Sequence, residues 1–149
     1  MATHYLHTEI EINASAEQVW AVLTDFPSYP EWNPFITAIE GRTEHGERLS
    51  ITIQPNKQKT MRFSPVVLSA NAGKDLRWLG RFVIPGLFDG EHRFLIEPVD
   101  DSKVRLQHSE HFSGLLVLFL RRSLERDTRR GFERMNQALK ERVEQTVAT

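Results

Sequence analysis

The C-terminal stretch constrains this chain more than any other. At 3.6 residues per turn, Leu115–Glu144 reads as one long amphipathic helix. Val117, Leu120, Leu124, Gly131, Met135, Ala138 and Leu139 fall in one sector of its wheel, with Phe132 on the edge. Arg122, Arg126, Arg129, Arg130, Glu133 and Lys140 fall opposite. So wide an apolar stripe has to be buried against a broad surface, and the middle of the chain must supply it.

The chain in order shows how. His4–Asn13 alternates apolar and polar residues, as a half-buried strand does. Ser15-Ala-Glu-Gln18 reads as a capping box that opens a short helix, with Val19, Trp20 and Leu23 at helical spacing. Pro27 ends that helix by Phe26, and Pro27, Pro30 and Pro34 leave Asp25–Phe35 as a loop or a broken helix. Phe26, Tyr29, Trp32 and Phe35 are too aromatic for a solvated loop, so some fold onto the core or line an opening in it. Turn signals at 41–46, 55–57, 71–73, 85–86 and 100–102 then separate about six antiparallel strands up to Ser113. One of these, Lys59–Leu68, is ambiguous in which face it buries. The layer arrangement that satisfies both apolar faces is α+β: a single curved antiparallel sheet wrapped around the terminal helix. Gly131, in mid-helix, marks either a close contact with a large side chain or space left for a ligand.

Size and charge narrow the function classes. A chain of 149 residues is one domain with room for a sizeable core. A formal charge of −1 argues against a dedicated nucleic-acid binder. The absence of cysteine removes thiol nucleophiles and cysteine metal sites and fits a cytoplasmic location. The N-terminal residues have neither a basic region nor an apolar run, so no signal peptide is expected. The apolar run Leu115–Leu120 falls far short of the roughly 20 residues of a membrane helix, so a soluble protein without stable membrane insertion is expected. Oligomeric state is not encoded in any pattern here.

Four segments carry a family resemblance. Ile10–Phe26, Tyr29-Pro-Glu-Trp-Asn-Pro-Phe35, Leu76-Arg-Trp-Leu-Gly80 and Gly131-Phe-Glu-Arg-Met-Asn136 resemble the polyketide cyclase/START/Bet v 1-like (SRPBCC) superfamily over nearly the whole chain. The resemblance implies a helix-grip fold with a hydrophobic cavity between sheet and terminal helix. It leaves function open, because members include lipid carriers, hormone receptors and cyclases.

Motifs for nucleotide, flavin or zinc chemistry are absent, and no cofactor or metal is expected. The three-residue spacings of His4/His7 and His108/His111 send each pair to opposite faces of a strand. The arginines at 121, 122, 126, 129, 130 and 134 offer an anionic patch. The i,i+4 pairs Glu125/Arg129 and Arg129/Glu133, with no overall basic surplus, favour an ordinary solvated face instead.

The last two hairpins are more informative. By period-2 parity His92 shares a face with Phe88, Phe94 and Ile96, and both His108 and Glu110 share one with Val104, Leu106 and Phe112. With turns at 85–86 and 100–102, Trp78, His92 and either His108 or Glu110 form one cross-strand row. Titratable groups on an apolar face need partners; a His–Glu pair that only fixes the sheet would satisfy them, and so would a ligand-orienting spot. A metal site from His92, His108 and Glu110 is the least expected arrangement.

The residues expected at a ligand site are therefore Trp32, Phe35, Trp78, His92, Phe94, His108, Glu110, Leu124, Gly131 and Met135. Trp32–Phe35, with Leu87, Phe88 and the start of the long helix, are expected to border the entrance, or else to plug one end of the core. Three functions follow: binding or transport of a hydrophobic small molecule or lipid, a cyclase/dehydratase-type enzyme in which His92 exchanges a proton and Glu110 orients it, or an interaction protein without ligand.

Overall fold

The computed structural model describes residues 2–82 and 84–149. Strand β1 (Thr3–Ile12) leads into α1 (Ala16–Leu23), a 3-10 turn (Phe26–Ser28) and the single-turn α2 (Tyr29–Trp32). Seven strands follow: β2 (Ile36–Glu40), β3 (Ser50–Asn56), β4 (Lys59–Phe63), β5 (Val66–Asn71), β6 (Asp75–Phe82), β7 (Phe88–Asp100) and β8 (Lys103–Ser113). The chain ends in a helix over 117–148, made of α3 (Val117–Ser123), a π-turn (Leu124–Thr128) and α4 (Arg129–Ala148). This is the helix-grip arrangement: an antiparallel wall curved around the terminal helix.

Ser15 opens α1 through the predicted capping box, accepting from Gln18 N at 3.2 Å while Gln18 Oε1 accepts from Ser15 N at 2.8 Å. The strands pair in the order β1-β8-β7-β6-β5 and, separately, β2-β3-β4. The single sheet expected from the sequence therefore has a seam, bridged by the Arg48–Val66 pair and by Leu49 N donating to Pro65 O at 2.8 Å. The seam has a cause in the sequence. Pro65 has no N–H and interrupts the expected strand Lys59–Leu68, so β4 stays with β3 while β5 joins β6. That split resolves the ambiguous parity: Met61 and Phe63 line an internal cavity, and Val67 is fully buried in the other sheet.

The long helix departs from an ideal wheel at its π-turn. A π-turn holds about one more residue than an α-turn, so the buried stripe moves on by about one position after it. Val117 ahead of the turn and Leu124 at its first position are buried as expected; beyond it Phe132, Asn136 and Val143 join Gly131, Met135 and Leu139 in the core, and Ala138 is only half-buried. Phe132, expected on the edge of the stripe, is fully buried, and so is Val143.

Part of the basic side of this helix is neither a lipid patch nor freely solvated. Arg121 donates to Thr3 O, Arg129 to His7 O and Lys140 to Glu11 O, at 3.2, 2.9 and 3.0 Å. β1 is the edge of its sheet, and these cations cap its outward carbonyls at every fourth residue. Each step of four strand residues spans about 13 Å, against about 12 Å for the eight helix residues from Arg121 to Arg129 and about 16 Å for the eleven from Arg129 to Lys140, so the helix runs alongside β1 with the long lysine side chain taking up the difference. The first turn of α3 leaves Leu118 and Phe119 exposed. Among the described residues, no helix is long and apolar enough to cross a membrane.

Candidate functional site

A cavity of about 160 Å³ lies between the β3–β4 hairpin, the concave face of β6–β8 and the π-turn. Its walls are mainly aromatic: Phe35, Phe63, Trp78, Phe82, Phe88 and Phe112. Four of these form a chain of ring contacts, Phe63–Phe82–Phe88–Phe112, with centroids 5.1, 5.2 and 5.6 Å apart. Leu120 and Leu124 close the helix side, while Asn56, Lys59, Asp127 and Thr128 stand at the lip. His92 and Glu110 supply the polar end.

The strand register decides which residues reach that end. Trp78, His92 and Glu110 lie directly opposite one another on β6, β7 and β8. The neighbouring row is Leu76, Phe94, His108 and Thr8. Glu110, not His108, completes the row with Trp78. His92 stacks on Trp78 at 4.8 Å between ring centroids, and His108 is sandwiched between Phe94 at 4.4 Å and Phe132 at 4.0 Å.

Five polar side chains join in one line. Glu110 Oε1 lies 3.0 Å from His92 Nδ1, His92 Nε2 lies 2.7 Å from His108 Nε2, and His108 Nδ1 lies 2.8 Å from Asn136 Oδ1. Asn136 Nδ2 donates to Thr8 Oγ1 at 2.9 Å, and the Thr8 hydroxyl donates to the His108 carbonyl oxygen at 2.8 Å.

The direction of every bond follows from the last one. Two oxygens 2.8 Å apart require a hydrogen between them, and the carbonyl has none, so the Thr8 proton is committed there. Thr8 can then only accept from Asn136, which turns Asn136 Oδ1 toward His108 and makes His108 Nδ1 a donor. A neutral His108 accepts at Nε2, His92 donates from its own Nε2, and His92 Nδ1 is left as an acceptor. Glu110 must supply the proton to it. The contact reads as a neutral hydrogen bond of a carboxylic acid, not an ion pair.

Electrostatics agree with that direction. Burial pushes the Glu110 carboxyl up from 4.5 to about 8 and pulls the His92 imidazole down from 6.5 to about 3. Burial, and then the neighbouring His92, hold His108 well below its ordinary value against the opposing bond to Asn136. Gly90 makes room for the acid: a Cβ at that position would overlap Glu110 Oε2.

Of the residues expected at the site, the structure brings Phe35, Trp78, His92, Glu110 and Leu124 to the cavity wall. His108 lies one layer behind it, fully buried and reached through His92. Phe94 and Met135 are core residues behind the wall. Gly131 leaves space for a protein side chain rather than for a ligand, since a Cβ there would overlap the Phe35 ring. Trp32 is not at the entrance. It packs edge-on against Tyr29 at 5.0 Å, whose hydroxyl donates to Leu23 O, so the proline-broken segment plugs the core and only Phe35 reaches the cavity. Asn33 turns the chain there, its Oδ1 accepting from Phe35 N and Ile36 N. Of the other residues expected at the entrance, Phe88 lines the cavity together with Leu120 of the long helix, and Leu87 does not.

Sequence reasoning missed Asn136 and Thr8. Asn136 was legible as a polar residue between Met135 and Leu139, but the π-turn is what carries it inward. Both ring nitrogens of His92 and of His108 are engaged within the protein, so neither ring has a nitrogen free for a metal. Among the described residues, no three His, Cys, Asp or Glu side chains gather as a metal site.

The chain belongs to the polyketide cyclase/dehydrase and lipid transport family, whose model matches residues 3–144. Its fold is shared with solved proteins of differing description. The aromatase/cyclase Zhui from Streptomyces sp. R1128 superposes with a TM-score of 0.81 at 15% identity, covering 98% of this chain and 96% of its own. A START superfamily protein from Mycobacterium smegmatis gives 0.75 at 23% identity, with 96% and 99% covered. Norcoclaurine synthase from Thalictrum flavum, in complex with a transition-state analogue, gives 0.73 at 14% identity, with 97% and 96% covered. At these identities the likeness establishes the fold alone. No curated protein matches the chain in sequence.

Proposed function

We propose that this protein binds a compact hydrophobic molecule in the cavity between sheet and terminal helix, with the apolar body against the aromatic wall and a polar group at Glu110. The observation that carries this reading is the contrast within one cavity: an aromatic wall ends at a single carboxyl group whose orientation is fixed by a fully bonded line of buried side chains. A volume near 160 Å³ lies below the roughly 300–1,000 Å³ of most ligand pockets and favours a one- or two-ring body over a whole lipid. A lipid would enter by one end only. An accessible cavity also argues against an interaction protein without ligand.

Titration with the neutral two-ring fluorophore 1-aminonaphthalene tests the reading. Saturable enhancement is expected for the wild type, with affinity at least about tenfold weaker in Ile53→Trp, which fills the cavity from β3. Equal affinity in both would move the site elsewhere.

A cyclase/dehydratase-type enzyme is the second reading, favoured by one observation: the titratable stretch Glu110–His92–His108 can hold and pass a proton, with Asn136 and Thr8 fixing its orientation. The geometry reverses the roles expected from the sequence. His92 has both nitrogens engaged, whereas Glu110 keeps an oxygen toward the cavity, so Glu110 would exchange the proton and His92 would position it. Glu110→Gln that abolishes turnover while keeping affinity for the ligand would establish this; unchanged turnover would remove it.

A further inference from the structure

We infer that the ligand of this cavity carries a hydroxyl group that donates a hydrogen bond to Glu110 Oε2, as a phenol or an alcohol does, and that ligands offering only an acceptor there are rejected. The inference rests on the proposed cavity binding and adds the chemical class of what is bound.

It follows from counting hydrogens along the buried line. Thr8 spends its only hydroxyl proton on the His108 carbonyl, and that fixes Asn136, His108 and His92 in turn. The Glu110 proton sits on Oε1 and points at His92 Nδ1, away from the cavity. Oε2 has no hydrogen-bond partner among the described residues, and the Glu110 side chain keeps 13% of its surface accessible on the cavity wall. What faces the ligand at this end is therefore a carbonyl-like oxygen with two lone pairs. If the proton crosses to His92 instead, Oε2 becomes a carboxylate oxygen, which is still an acceptor. In both states a ligand carbonyl or ether would set lone pair against lone pair, and a ligand carboxylate would set charge against it. Gly90 holds the oxygen in this place, since any side chain there would overlap it. The surrounding Trp78, Phe88 and Phe112 rings suit a planar apolar body. A phenol combines that body with the donor.

Calorimetric titration with 2-naphthol and 2-methoxynaphthalene, near neutral pH, isolates the donor, because the two share a ring system and differ in the hydroxyl hydrogen. The naphthol is expected to bind about tenfold more tightly to the wild type, the worth of one neutral hydrogen bond. Glu110→Gln should keep that preference, because the amide N–H₂ replaces the acid toward His92 and its carbonyl oxygen replaces Oε2. Glu110→Met should abolish it. Equal affinities in the wild type, or a preference for the ether, would overturn the hydroxyl assignment and leave the cavity reading standing. A preference for the naphthol that survives in Glu110→Met would likewise overturn it, by placing the acceptor elsewhere in the cavity. Binding of neither compound would overturn the cavity reading and this inference with it.

Discussion

Glu110 is an acid whose protonation is settled by a threonine four side chains away. The direction of the hydrogen bonds and the pKa shifts both give a native state in which Glu110 holds one proton and His92 and His108 hold none beyond their neutral tautomers. This fixes how stability depends on pH. Between pH 4.5 and 6.5 the unfolded chain binds two protons on these histidines and the native chain one on Glu110, so stability rises with pH. Between 6.5 and about 8 only the native state keeps a proton here, so stability falls as pH rises, at up to about 1.4 kcal/mol per pH unit. The site's contribution therefore peaks near pH 6.5, and Glu110→Gln should remove its alkaline decline; urea unfolding of both proteins across that range measures the difference. A second substitution probes the far end of the line. Asn136→Leu strands the His108 N–H in a fully buried position and should cost about 1–3 kcal/mol in the same measurement.

At the scale of the element, the long helix is shaped by two local features. The π-turn moves the stripe on by a residue, which brings Asn136 to His108 and buries Phe132 against that ring, and it also places Leu124 and Asp127 on the cavity. Gly131 lets the helix approach until Phe35 fills the space a side chain would take, with the Phe35 and Phe132 rings 5.5 Å apart. Gly131→Ala gains about 1 kcal/mol in helix propensity but forces the Phe35 ring to move, at a typical overpacking cost of about 1–3 kcal/mol. Net destabilisation is expected in the wild type and net stabilisation in a Phe35→Leu background, where the obstacle is smaller. A double-mutant cycle by thermal unfolding reads the change of sign.

For the whole molecule, grip is the joint work of an apolar contact and a cationic strap along β1. Arg129 binds the His7 carbonyl and also pairs with Glu125, 2.8 Å away at i,i+4. Arg129→Met should keep the packing of its stem and lose about 1 kcal/mol, a modest figure because the side chain is one-third exposed. Chemical denaturation with and without salt separates the screened pair from the carbonyl bond. Ligand binding should act on the same global equilibrium. At one hundred times its dissociation constant for the wild type, 2-naphthol is expected to raise stability by about 2.7 kcal/mol, and that of Ile53→Trp by no more than about 1.4 kcal/mol.

The sequence by itself determined the long helix and, apart from the segment 59–68 that Pro65 divides between two sheets, the strands and the faces they bury, because each is a matter of period, parity or local turn chemistry; the family entered through resemblance. Parity put His92, His108 and Glu110 on the concave side, and the structure keeps them there. It could not choose between His108 and Glu110 as the partner of His92 across from Trp78, since that depends on the register set by the β7–β8 turn and its bulge. Nor could a wheel of fixed pitch foresee the π-turn, so Asn136 and the true centre of the stripe were out of reach. Trp32 and Gly131 were misread for a related reason: an aromatic near a proline, or a glycine in a helix, announces a close approach without saying to what. Only the packed structure supplies Tyr29 for one and Phe35 for the other. The polarity of the buried line is also tertiary in origin, because it begins at a Thr8 hydroxyl that meets the His108 carbonyl across a strand pair one hundred residues apart in the chain.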